Sequence, residues 1–125
     1  MIILTIVVLL LILGVLIFVH ELFHLIYAKR SHVKVEEFCI GFPPRIFKKK
    51  AGETTYSIGI IPFGGFNNIY GEDSREKKPG SFFEKSIGTR AKIIAAGVMG
   101  NFFLAFNIFS IIFGVGTPQA VEDKI

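Results

Sequence analysis

The chain has 125 residues, room for one domain at most, and 51% of them are hydrophobic, with a mean hydropathy of +0.57. Of its 14 Lys and Arg residues, 13 lie between Lys29 and Lys92, where seven acids leave 13 − 7 = +6. Membrane topology and anionic lipid head groups account for that charge, so no nucleic acid is needed, and the single Cys39 excludes an intrachain disulfide.

The first apolar block, Ile2 to Ala28, exceeds the roughly 20 residues that cross a hydrocarbon core, and it is apolar on every face. A signal peptide would need a basic start and a small-residue cleavage site, and Met1 to Leu13 has no Lys or Arg. Residues 1–28 are therefore expected to form a transmembrane helix. Lys29, Arg30 and Lys34 follow it directly and should stay cytoplasmic.

Residues 29–92 are expected to be a cytoplasmic loop. Gly41-Phe42-Pro43-Pro44 breaks any helix, and Tyr56, Ile58 and Ile60 alternate with Thr55, Ser57 and Gly59. A β-hairpin over about 41–66 follows, turning near Lys49 to Glu53. Asn67 to Gly80 reads as a polar surface loop. Ser81 and Glu84 have the spacing of a capping box, which predicts a juxtamembrane helix over about 81–92. The second span, 93–116, carries no charge, and Ala96 and Gly100 place small residues on one face for close helix packing. Residues 117–125 would be an extracytoplasmic stub. The fold class is thus an α-helical membrane protein with two transmembrane helices, both termini extracytoplasmic, and a membrane-associated β-hairpin between them.

The chemistry concentrates in His20-Glu21-Leu22-Phe23-His24. Helical positions four apart share one face, so both imidazoles can reach a single Zn2+. Glu21 is then placed to handle the proton of an attacking water and return it to a leaving amine. Ionisable groups at membrane depth are costly, and three of them at ligand spacing favour a metal site over side chains that snorkel to the interface.

His20 to His24, Ile61-Pro62-Phe63-Gly64-Gly65-Phe66 and Phe83-Glu84-Lys85-Ser86 … Arg90 … Ala96-Gly97 … Asn101 occur in the order seen in bacterial site-2 proteases, which the chain resembles along nearly its whole length. The resemblance implies the N-terminal half of an intramembrane zinc metalloendopeptidase of the bacterial inner membrane, cutting transmembrane segments of membrane-protein substrates. It implies metal binding by His20 and His24, general base and acid work by Glu21, and substrate presentation by strand addition near Gly64 and Gly65. Asn101 would pack the spans or support substrate. Phe23 and Leu25 depart from the family's usual residues, and Val98-Met99-Gly100 replaces a Pro-containing version. The family's third zinc ligand, an Asp in a later Leu-Asp-Gly helix, and its PDZ domain have no counterpart in these 125 residues. Glu72, Asp73 and His32 read as surface residues rather than substitutes. The chain is therefore expected to be a fragment, inactive alone; the alternative is a non-catalytic relative or regulatory subunit, with a haem protein ranked last.

Overall fold

The computed structural model describes residues 1–116, apart from the side chains at 62 and 63; the expected stub at 117–125 lies outside the described residues. Two helices frame the molecule, α1 (Ile2–Arg30) and α2 (Ile87–Val115), each 29 residues and so about 43 Å long. Both are long and apolar enough to cross a membrane. Lys29 and Arg30 fill the last turn of α1, where cations complement the helix dipole. His32, at φ 60°, closes that end, and the Val33 N–H donates to Ala28 O at 2.9 Å.

Between the helices lie two long strands, β1 (Val35–Ala51) and β2 (Thr54–Ile69). The sheet extends beyond the expected 41–66 at both ends, because each strand folds back on itself. Phe47 to Ala51 pair antiparallel with Ile58 to Thr54 as a hairpin. Glu37, Phe38, Cys39 and Ile40 meet partners on both sides: Asn68, Asn67, Phe66 and Gly65 in descending order, Thr55, Tyr56, Ser57 and Ile58 in ascending order. The first set is antiparallel and the second runs in step. The register shifts that allow this cluster at Ile40, Phe42 and Arg45, around the Pro-Pro pair that cannot continue a regular ladder. Segment Gly65–Asn68 thus has a sheet neighbour on one side only among the described residues.

The helix expected from Ser81 is instead one 3-10 turn, Phe82–Glu84. Ser81 Oγ does accept from Glu84 N at 3.2 Å, but Glu84 Oε2 accepts from Gly80 N at 2.7 Å. Lys85 is extended, and Ser86 then caps α2 afresh through Thr89 N at 3.3 Å. Two capping serines five positions apart start two elements, which divides the expected helix.

The packed core is small and lies where the elements converge. Leu25, Ala28, Val33, Val35, Phe38, Ile69, Phe82 and Ile93 are buried together. Burying each large member contributes about 1.5–3 kcal/mol. The outer halves of both helices, by contrast, stay exposed.

Candidate metal centre

One turn above that core, α1 turns His20, Glu21 and His24 towards the rest of the molecule, each half-buried. The rings face α2, not the surroundings. A Cβ built on Gly97 would sit 2.5 Å from His24 Nε2 and 2.6 Å from His20 Nε2, so only glycine leaves room for the pair. Three residues on, a Cβ at Gly100 would meet Phe23 Cγ at 2.5 Å. The small-residue face of α2 therefore receives α1 itself. Phe23 fills the notch at Gly100 and packs on Phe103 with ring centroids 6.1 Å apart, while Leu25 enters the core.

The His24 ring is fixed by its second nitrogen. His24 Nδ1 lies 2.7 Å from Ile93 O, and a carbonyl can only accept, so Nδ1 carries the proton. In the neutral ring Nε2 is left as a lone pair, and it lies 2.9 Å from His20 Nε2. An imidazole oriented through its outer nitrogen by a backbone carbonyl is the usual support of a metal ligand. Two imidazole nitrogens, a donor type that Zn2+ takes, converge beside Gly97. Among the described residues, no group of three or more His, Cys, Asp or Glu side chains is placed to hold a metal ion.

Glu21 is tied to the sheet. Asn67 Nδ2 donates to Glu21 Oε2 at 2.9 Å and to Glu21 O at 2.6 Å. Asn67, expected in a surface loop, is a β2 residue on the single-neighbour segment between Phe66 and Ile69. The signal available was a pair of amides, Asn67-Asn68, set between Phe66 and Ile69. Glu21 and His24 line a cavity of about 220 Å³ with Phe66, Asn67, Ile69 and Glu72. Glu72, read from sequence as a surface acid, is exposed as a residue yet borders this cavity. Loss of water around its carboxyl, with Asp73 and Glu21 nearby, pushes its pKa up, against a smaller opposite effect from His24. Asp73 is exposed, and His32 lies in a different cavity with Lys29 and Lys34.

A second hollow of about 360 Å³ opens on the other side, lined by Leu13, Leu16, Ile17, His20, Glu21 and Asn101. Asn101 Oδ1 is buried without a hydrogen-bond partner among the described residues. Gly64 and Gly65 lie away from both spaces. Gly64, at φ +79°, would bring a Cβ to 3.2 Å from Ile17 Cγ2, and a Cβ on Gly65 would meet Cys39 O at 2.4 Å. Their small size seats β2 on α1 and against β1.

A family model described as Peptidase family M50 matches residues 8–124. The chain belongs to peptidase family M50. It is 41% identical over 112 residues to the regulator of sigma-E protease RseP of Escherichia coli, covering 85% of this chain and 25% of that protein. It is 46% identical over 78 residues to the regulator of sigma-W protease RasP of Bacillus subtilis (61% and 18%), and 49% identical over 78 residues to the zinc metalloprotease RasP of Bacillus licheniformis (61% and 19%). This M50 chain thus spans less than a third of the length of such curated relatives, 29% of one from Clostridium acetobutylicum. The likeness to site-2 proteases drawn from its motifs agrees with the family match.

Proposed function

We propose that this M50 chain is the N-terminal part of a zinc-dependent intramembrane endopeptidase that cuts membrane-anchored substrates. The observation that carries the reading is the meeting of His20 and His24 Nε2 at 2.9 Å, inside a helix otherwise apolar from Ile2 to Ala28. His20 and His24 would hold Zn2+, with the third protein ligand coming from a segment outside residues 1–116. Bound zinc supplies a Lewis acid that lowers the pKa of water towards 7. Glu21 takes the proton of the attacking water and returns it to the leaving amide nitrogen. Asn67 and the hollow at Asn101 leave Glu21 approachable from two sides.

The open side of Gly65–Asn68 offers an extended substrate a place to add as a strand. Pairing there runs it past Asn67, in contact with Glu21, while Gly64 and Gly65 hold that strand close against α1 and β1. The two apolar helices would cross a bacterial inner membrane with both termini outside, because the basic segment 29–92 stays in the cytoplasm.

Glu21→Gln in the complete polypeptide tests the reading. Cleavage of a membrane-anchored peptide should fall at least about a thousandfold, with zinc content unchanged. Retained cleavage would overturn the mechanism. Zinc bound without any Glu21-dependent cleavage would favour a non-catalytic relative.

A further inference from the structure

We infer that Asn67 is a positioning residue for Glu21, an inference that rests on the proposed proteolytic role of that carboxylate. The two groups come from elements 46 residues apart and meet through one amide nitrogen, at 2.9 Å from Glu21 Oε2 and 2.6 Å from Glu21 O. Glu21 O is a backbone carbonyl and can only accept, so the NH2 side of the amide faces it and the orientation is fixed. It leaves Asn67 Oδ1 buried and without a partner among the described residues. An asparagine retained for the sheet's own stability would satisfy both ends of its amide, or would be replaced by a β-branched apolar residue suited to a half-buried strand. This one gives up its acceptor and directs its donor to the helix bearing Glu21.

The consequence is chemical. A glutamate has three side-chain torsions, and on α1 its carboxylate could swing towards Asn101 or towards Glu72, since Glu21 borders both hollows. One hydrogen bond from the strand selects a single arrangement beside His20 and His24. The same strand offers its open edge for pairing, so a bound peptide and the carboxylate that acts on it are set by one element. Holding a reacting group in place affects turnover more than substrate affinity.

The test uses the complete polypeptide in lipid with zinc, and compares Asn67→Val and Asn67→Asp. Asn67→Val should lower kcat about tenfold while KM, zinc content and Tm stay level or Tm rises. Asn67→Asp keeps the shape but sets a second carboxylate against Glu21, and should cost more, about a hundredfold in kcat. Asn67→Thr serves the same comparison should the Val variant not fold. Wild-type kcat in either variant, or a fall in activity that follows a fall in Tm or zinc, overturns the inference and leaves the protease reading standing. Cleavage that survives Glu21→Gln overturns both.

Discussion

The two halves of α1 have nearly the same hydropathy and opposite surroundings. From Ile2 to Leu16 almost every residue is exposed, Ile2 at 76% and Leu9 at 62%. From Phe18 to Leu25 the helix is half-buried or buried, and all three ionisable groups of the motif fall there. The second helix mirrors this, with Ile93, Ala96, Gly97 and Gly100 buried and Ile111 and Phe113 exposed at 65% and 71%. Apolar composition therefore does not mark the core of this molecule. The core lies where chain elements meet, next to the polar chemistry, and the long apolar ends are suited to a hydrocarbon solvent.

Breaking the meeting point should cost most. Gly97→Val puts side-chain atoms where the two imidazole nitrogens converge, so zinc affinity in the complete polypeptide should drop at least about a hundredfold by equilibrium dialysis. An unchanged affinity would mean that the rings need not face α2. Next comes the contrast between the two halves of α2. Ile93→Ala, at a site only 1% exposed, should destabilise by about 2–5 kcal/mol, whereas Ile111→Ala should stay within about 0.5 kcal/mol in detergent unfolding. Equal losses would remove the distinction between core and shaft.

The smallest effect belongs to the sheet's ion pair. Arg45 Nη2 donates to Glu37 Oε1 at 2.7 Å, and Ser57 Oγ donates to Glu37 Oε2 at 2.6 Å. The Arg45 hydrogen bond is the largest influence holding the Glu37 carboxyl below its ordinary 4.5, against partial desolvation. A depressed folded pKa contributes stability above pH 4.5 that is lost as pH falls through the lower folded value. Glu37→Gln should flatten that acid limb in Tm-versus-pH scans. At neutral pH it should cost no more than about 1 kcal/mol, the range of partly exposed pairs.

The apolar spans and the zinc motif were legible in sequence because each rests on local spacing: run length for a helix, four residues for His20 and His24. The β-hairpin was legible from the alternation at Tyr56, Ile58 and Ile60, but its extent was not. Alternation reports a strand's faces and says nothing of a strand that folds back to pair twice, as Glu37 to Ile40 do. The small residues of α2 announced a close approach without naming its partner. Asn67 and Glu72 were hidden in a polar stretch, since their meaning depends on α1 lying beside them. The capping box over-read its helix because its serine and glutamate satisfy the ends of a single turn as readily as those of a long helix.

Strand β2 touches α1 at two separated points, Gly64 beside Ile17 and Asn67 on Glu21. Three strand residues advance about 10 Å and four helical residues about 6 Å, so the strand must cross the helix obliquely to meet both. The pair of contacts acts as a ruler laid across the helix. Slipping the strand by one residue would carry the Asn67 side chain to the opposite face and bring Phe66 or Asn68 into its place, out of step with the Gly64 contact. Spacing between positions 64 and 67 is therefore a fixed length of the machine, one that tolerates changes of letter more readily than a change of count.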